Sequence, residues 1–192
     1  MNELIFASSN PGKVKEIALA IAPGISIIGL KEIGCTESIP ETADTIEGNA
    51  RLKARYVWTK YQRDCFADDS GLEVDALDGA PGVHSARYAG IPSNAEKNME
   101  KMLEDMQKQV DRRARFRTVI CLIVAGTEIC FEGVVPGHIA REKRGDGGFG
   151  YDPLFVPEGC SRTFGEMTLI EKNLISHRSL ALAQMNHFLK AS

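Results

Sequence analysis

Strands and helices alternate along the chain, and this alternation limits the fold more than any other feature of the sequence. "ELIFAS" at residues 3–8 has the apolar composition of a strand. "NPGKVKEIALAIAPG" then offers Asn10 as a helix N-cap, Pro11 at the first helical position and Pro23-Gly24 as a stop. "ISIIGL" follows as a second strand. The chain therefore opens as strand, tight loop, helix and strand.

Two further helices are predicted from capping-box spacing. Asp44 and Glu47 have capping-box spacing at the start of a helix over about residues 45–61, and Ser93 and Glu96 have the same spacing at the start of another. A last helix is expected from about Ser176 to Lys190. We interpret the methionines of the helix after Ser93 as core residues.

Three more strands are expected between these helices. "CFAD" at 65–68 is a short buried strand that ends in two carboxylates, and "FRTVICLIVAG" and "EICFEGVVPGHIA" are two long strands joined at Gly126-Thr127. Alternating strands and helices together with a hairpin predict an α/β fold with a mixed sheet.

Composition and charge exclude several classes of function. The 192 residues carry a formal net charge of −3, so nothing attracts the chain as a whole to nucleic acid or to a membrane. No apolar run approaches the ~20 residues of a membrane span, and the N-terminus does not resemble a signal peptide. Five scattered cysteines without a CxxC argue for a reducing compartment and against a zinc site. We therefore expect a cytoplasmic protein.

Two adjacent carboxylates, Asp68 and Asp69, stand in "ADDSG". Successive side chains of a strand point to opposite faces, so the two carboxylates cannot act as a dyad. A surface turn would explain this stretch as well as a site would. If it is a site, one carboxylate faces a ligand and the other packs against the sheet.

Two glycine-containing loops are candidates for ligand binding. "SSNPGK" at 8–13 lies between a strand and a helix N-terminus, which suits phosphate, although a well-capped helix explains the same residues. "GDGGFG" at 145–150 matches GxGxxG, but "YDP" follows where a dinucleotide site would need a helix. Phe149 in this loop is equally compatible with a core position and with a platform for a base.

Several blocks together resemble the nucleoside-triphosphate pyrophosphatases of the ITPase (Ham1-like) family. They are "ASSNPGK" (7–13), "PET" (40–42), "GNARLKA" (48–54), "ADDSGLEVDALDGAPGVHSARYAG" (67–90), "GGFGYDPLF" (147–155) and "EKNLISHR" (171–178). The chain departs from the family pattern at Ser8-Ser9, where a Thr-Gly pair is frequent in the family, and at Ile170, where an acidic residue is frequent. The order and spacing of the blocks make the resemblance specific over nearly the whole chain.

The resemblance implies a fold and an activity. The fold is α/β and three-layered, with a long mixed β-sheet flanked by helices and two lobes around a central cleft, formed by residues 1–192 as a single domain. The activity is Mg²⁺-dependent hydrolysis of ITP, dITP and XTP to the nucleoside monophosphate and pyrophosphate, by a homodimer that cleanses the nucleotide pool and binds neither nucleic acid nor membrane.

The resemblance also implies residue roles. Asp69 is the general base and a metal ligand, and Glu41 is a second carboxylate near the metal. The remaining expected residues contact the substrate and are Ser8, Ser9, Asn10, Pro11, Gly12, Lys13, Lys53, Ser70, Phe149, Gly150, Tyr151, Asp152, Lys172, His177 and Arg178. Asp68 is expected to be a structural partner. Two alternatives stay open, a nucleotide-binding regulator without catalysis and a septum-inhibitor-type pyrophosphatase acting on dTTP or UTP.

Overall fold

Six strands form one mixed sheet in the computed structural model, which describes residues 3–191. The strands are β1 (Glu3–Phe6), β2 (Ser26–Gly29), β3 (Cys65–Val74), β4 (Arg113–Val124), β5 (Thr127–Ile139) and β6 (Phe155–Pro157). Their order in the sheet is β2-β1-β3-β4-β5-β6. β1 pairs in parallel with β2 and β3, and β5 pairs antiparallel with β6. The predicted α/β fold with a mixed sheet is confirmed.

Five α-helices accompany the sheet in the described part of the chain. They are α1 (Pro11–Ala20), α2 (Ile46–Tyr61), α3 (Ala95–Asp105), α4 (Leu169–Ile175) and α5 (His177–Ala191). None of the helices between residues 3 and 191 is long and apolar enough to cross a membrane.

The helix starts agree with the sequence at α1 and differ at α2 and α3. The Asn10 side chain caps α1 by accepting from the backbone N–H groups of Gly12 and Lys13, as predicted. At α2 the hydroxyl of Thr45 is the cap, and at α3 the cap is the Asn94 side chain. In both places the N-cap residue lies one position after the predicted one, because the side chain that accepts a first-turn N–H group there is the next one along the chain.

β3 is much longer than the predicted strand at 65–68. It continues for ten residues through "CFADDSGLEV", so Asp68 and Asp69 lie within the strand and not at its end. Asp68 is fully buried and Asp69 is 7% exposed, which rules out the surface turn. The glycine at position 71 did not end the strand, since ladder pairing outweighs a weak local propensity. The sequence prediction also missed β6 and α4, which are short.

The chain divides into two compact units. Unit 1 comprises residues up to Asp69, Thr118–Gly133 and residues from Arg178 onward; unit 2 comprises Ser70–Arg117 and Val134–His177. Each unit has a core of its own. Unit 1 buries Phe6 and Phe66, which stack at 4.7 Å, and unit 2 buries Phe116 and Phe155, which meet edge to face at 4.7 Å. A single domain over residues 1–192 stays a prediction.

Candidate active site

Two carboxylates of unit 1 converge on one ammonium group. The Lys53 Nζ lies 2.7 Å from Oε1 of Glu41 and 2.8 Å from Oδ1 of Asp69. Lys53 comes from the buried face of α2, Asp69 from β3, and Glu41 from the loop before α2. Three residues that the sequence predicted for the metal and the phosphates are therefore in direct contact.

The neighbouring carboxylate, Asp68, holds a different pair of cations. Its Oδ2 accepts from Nε of Arg178 at 2.9 Å and lies 3.1 Å from the Nζ of Lys13. Arg178 also donates to the buried carboxylate of Glu16 on α1. Asp68 and Asp69 thus contact different partners, as expected for successive residues of a strand. Asp68 links Lys13 to Arg178 within unit 1.

The charges around Asp68 decide its protonation. Burial by itself would raise the pKa of this carboxyl group, but the charges of Lys13 and Arg178 outweigh burial and hold the pKa below its usual value. The pKa of Arg178 is raised, since Asp68 and Glu16 more than offset the effect of its burial. Burial lowers the pKa of Lys13, and the attraction of Asp68 opposes only part of this effect. Asp68 is therefore ionised throughout the neutral range.

Asp69 behaves in the opposite way. Burial raises its pKa above the usual value for an aspartate, and the nearby charges of Lys53 and Lys13 offset only part of the increase. For Lys53, burial favours the neutral amine, but Asp69, Asp68 and Glu41 together raise its pKa. A carboxyl group with a raised pKa is a better proton acceptor than an ordinary aspartate, which suits a general base.

Residues 8–13 connect β1 to α1 and include the first turn of that helix. Within this segment Ser8 accepts a hydrogen bond of 3.3 Å from the backbone of Asn10, while Ser9 and Pro11 are exposed. The side chain of Asn10 occupies the first-turn N–H groups of Gly12 and Lys13. Lys13 turns inward to Asp68 and also donates to the Asp68 backbone carbonyl at 3.4 Å.

Unit 2 holds a second group of predicted residues around a buried ion pair. The Nζ of Lys172 lies 2.5 Å from Oδ2 of Asp152, and both side chains are 2% exposed. The same carboxylate accepts from the backbone N–H of Phe149 at 2.8 Å. The Lys172 ammonium lies 4.8 Å from the centre of the Phe149 ring and 5.4 Å from that of Phe164. Asp152 therefore fixes both the lysine and the loop that carries Phe149.

The other predicted residues of unit 2 have separate contacts. His177 is buried and stacks on the ring of Phe116 at 4.5 Å. The hydroxyl of Tyr151 donates to the backbone carbonyl of Ser85 at 2.9 Å. Ser70 and Gly150 are half-buried. Their predicted contacts with substrate stay predictions.

Sequence reasoning missed Glu16, whereas the structural part expected of Asp68 agrees with its ion pairs to Lys13 and Arg178. Glu16 lies three residues after Lys13 on α1, so both lie on one face of the helix. An acid that faces the buried side of a helix next to a lysine was the available signal. A buried acid of this kind needs a cationic partner, and here that partner is Arg178.

The oxygen donors of unit 1 fit a magnesium ion. Mg²⁺ prefers one or two carboxylates supplemented by phosphate oxygens and water, and it does not need nitrogen or sulfur ligands. Asp69 and Glu41 both accept from the ammonium group of Lys53, so two carboxylates are present beside one cation. Among residues 3–191 no group of three or more His, Cys, Asp and Glu side chains is arranged for a metal.

Comparison with known proteins identifies the family. The model of the Ham1 family matches residues 4–188. The chain belongs to the Ham1 family. Two solved structures have the same fold over essentially the whole chain. The Staphylococcus aureus Ham1 protein is 38% identical with a TM-score of 0.90, covering 99% of each chain; a HAM1 protein from Coxiella burnetii has the same identity and TM-score and covers 100% of each.

Sequence relatives of this Ham1-family chain carry a functional name. A protein of Porphyromonas gingivalis, named dITP/XTP pyrophosphatase, is 56% identical over 190 residues, which is 98% of each chain. A Bacillus subtilis protein of the same name is 45% identical and covers 100% of this chain and 98% of its own. The resemblance that the sequence motifs predicted is confirmed.

Proposed function

We propose that this chain is a Mg²⁺-dependent pyrophosphatase that hydrolyses ITP, dITP and XTP to the nucleoside monophosphate and pyrophosphate. Membership of the Ham1 family and the names of its relatives support the class of reaction. The observation that carries the proposal is the convergence of Glu41 and Asp69 on Lys53, where the lysine and Asp69 are buried. Carboxylates and a lysine in contact can together hold a divalent cation and a phosphate chain.

In this proposal Asp69 and Glu41 would hold the Mg²⁺, which when bound neutralises phosphate charge and lowers the pKa of water. Asp69 orients the attacking water and accepts its proton. The water attacks the α-phosphorus, and pyrophosphate leaves.

Lys13 and Lys53 act on the triphosphate. An NTP brings about four negative charges, so the ammonium groups must face phosphate oxygens while the substrate is bound. Lys53 then exchanges its contacts with Glu41 and Asp69 for phosphate, and the released carboxylates become available as ligands. This exchange explains why a lysine with two carboxylate partners serves a binding site.

The choice of base follows from hydrogen-bond donors. Hypoxanthine and xanthine carry a 6-keto acceptor, whereas adenine carries a 6-amino donor. Arg178 only donates, so a site that reads the base with this residue leaves the 6-amino group of ATP without an acceptor. Arg178 is bound to Asp68 and Glu16, so its contact with the base stays a prediction from the family resemblance.

The homodimer, cytoplasmic location and absence of nucleic-acid and membrane partners belong to the same proposal. A net charge of −3 supports the absence of nucleic-acid and membrane partners, since it gives the chain as a whole no attraction to a polyanion.

A panel of nucleoside triphosphates with Mg²⁺, scored for pyrophosphate, tests the function. We expect ITP, dITP and XTP to be hydrolysed well ahead of ATP and GTP. Orthophosphate in place of pyrophosphate would contradict the assigned bond, and preference for dTTP or UTP would indicate the septum-inhibitor type. Saturable binding of ITP without pyrophosphate release would indicate a regulator.

The role of Asp69 is tested by a pair of variants. Asp69→Asn should bind ITP but lose hydrolysis, whereas Asp44→Asn, at an exposed position, should hydrolyse ITP normally.

A further inference from the structure

Unit 2 contains a cavity of about 340 Å³ that none of the predicted substrate-binding residues lines. Its wall is formed at the start of β4, at the end of β5 and in the segment that follows β5. Three arginines, Arg112, Arg141 and Arg144, line it together with His138 and a single acid, Glu142. The side chains that line this cavity therefore sum to a charge of +2, counting histidine as neutral, in a chain whose net charge is −3.

Arg112 is held in place by backbone groups alone. Its guanidinium donates to the carbonyl oxygens of Ile139 at 2.6 Å, Met106 at 2.8 Å and Ala140 at 2.7 Å. A guanidinium has five N–H donors, so these bonds leave donors for a ligand. Carbonyl oxygens fix its orientation but leave its full positive charge in place.

Neighbouring cations differ from Arg112 because they have carboxylate partners. Arg113 lies 2.6 Å from Asp111, Lys143 pairs with Glu96, and Arg144 lies 3.7 Å from Glu166. Within residues 3–191, neither Arg112 nor Arg141 lies within ion-pair distance of a carboxylate. The cavity is thus the place where this arginine-rich segment has uncompensated charge.

Arg112 and Arg141 are also close enough to repel each other. Burial lowers the pKa of Arg112, and the positive charge of Arg141 lowers it further. Two like charges at a half-buried site raise the free energy of the folded state unless an anion joins them. Arginine is the side chain that binds phosphate oxygens in a fixed, bidentate geometry.

We propose that the cavity lined by Arg112, Arg141 and Arg144 is an anion-binding site for a dianionic phosphate group, separate from the nucleotide site. A volume of 340 Å³ is at the small end of the range of ligand pockets, which is enough for a phosphate group and for a small organic group attached to it. The phosphate group could come from inorganic phosphate or from a nucleoside monophosphate, and both offer the same oxygens to the arginines.

The side-chain Nε–H signal of Arg112 in a ¹H–¹⁵N spectrum reports on this site directly. The titrations use inorganic phosphate in one arm and AMP in the other, without Mg²⁺ and at constant ionic strength. We expect a saturable shift of the Arg112 signal in the unmodified protein. AMP binding at least ~tenfold tighter than phosphate would identify a nucleoside monophosphate as the ligand, and equal affinity would identify the phosphate group alone.

Arg141→Gln and Lys143→Gln form the matched pair of variants. Each removes one cation from the same exposed segment, but only Arg141 lines the cavity. We expect Arg141→Gln to weaken binding by about fivefold or more, the effect of roughly 1 kcal/mol, while Lys143→Gln leaves it unchanged. No saturable shift in either arm, or equal weakening by both variants, would overturn the proposal. Arg112 itself stays unchanged because its bonds to three carbonyl groups support the fold.

Discussion

Replacement of Asp68 by asparagine removes the negative charge that joins Lys13 to Arg178. The carboxylate is fully buried, lies 3.1 Å from one cation and 2.9 Å from the other, and has a pKa held low by both. The amide that takes its place would keep nearly the same shape but carry no charge. Arg178 would keep its contact with Glu16, whereas Lys13 would lose the ion pair with Asp68.

The expected loss in the free energy of unfolding arises because Lys13 and Arg178 stay buried without the negative charge of Asp68. Removing one partner of a buried ion pair destabilises proteins by about 3–5 kcal/mol. With a urea dependence of about 2 kcal/mol per M, the unfolding midpoint should fall by roughly 1.5–2.5 M. The chain has one tryptophan, Trp58 on α2 in the same unit, and its emission can follow the transition.

Asp146→Asn is the control, because Asp146 is exposed and a surface substitution should stay within about 0.5 kcal/mol of the unmodified protein. If Asp68→Asn also stays within about 1 kcal/mol, the ion pairs with Lys13 and Arg178 do not stabilise the fold, and the reasoning is refuted.

The effect of Asp68→Asn on the free energy of unfolding should also depend on pH. A depressed pKa in the folded state means that the stability from Asp68 is present above the unfolded pKa of about 3.9 and is lost as the pH falls towards the folded value. The difference in unfolding free energy between the unmodified protein and Asp68→Asn should therefore be about 1.3 kcal/mol smaller at pH 3 than at pH 6. An unchanged difference would show that the pKa is not depressed.

Three further results are expected. Lys53→Met leaves the carboxylates of Glu41 and Asp69 without their shared cation, so the free energy of unfolding at pH 7 should fall by about 2–3 kcal/mol. Part of this loss should be recovered at pH 5, where the carboxylates take up protons, and an equal loss at both pH values would contradict the prediction. Gly145→Ala should lower the free energy of unfolding in urea clearly more than Gly159→Ala. Both glycines have φ near +80°, but only a Cβ at Gly145 would collide with the backbone of Gly165. Equal losses of unfolding free energy, each of about 1–2 kcal/mol, would show that no such collision occurs. Removal of Mg²⁺ with EDTA should stop pyrophosphate release from ITP, and full activity in EDTA would exclude a metal.

Local elements were predictable wherever one short stretch carries its own signal. The strand-loop-helix opening was correct because Asn10, Pro11 and the apolar residues around them act within a few positions. The caps at Thr45 and Asn94 were missed by one residue, since neighbouring side chains offer similar acceptors and the backbone decides between them. The length of β3 was missed for a related reason, as its pairing partners lie elsewhere in the chain.

The family motifs pointed to the residues of the candidate site, and alternation along a strand separated the roles of Asp68 and Asp69. The partners of each carboxylate depended on tertiary structure. Lys13 lies 55 residues from Asp68, and Arg178 lies 110 residues from it. Side-chain propensity and periodicity act over one or two turns, whereas these contacts form only when α1, β3 and α5 have assembled. Burial then set the charges: the same residue type has a lowered pKa at 68 and a raised one at 69, because two cations surround the first while burial dominates at the second.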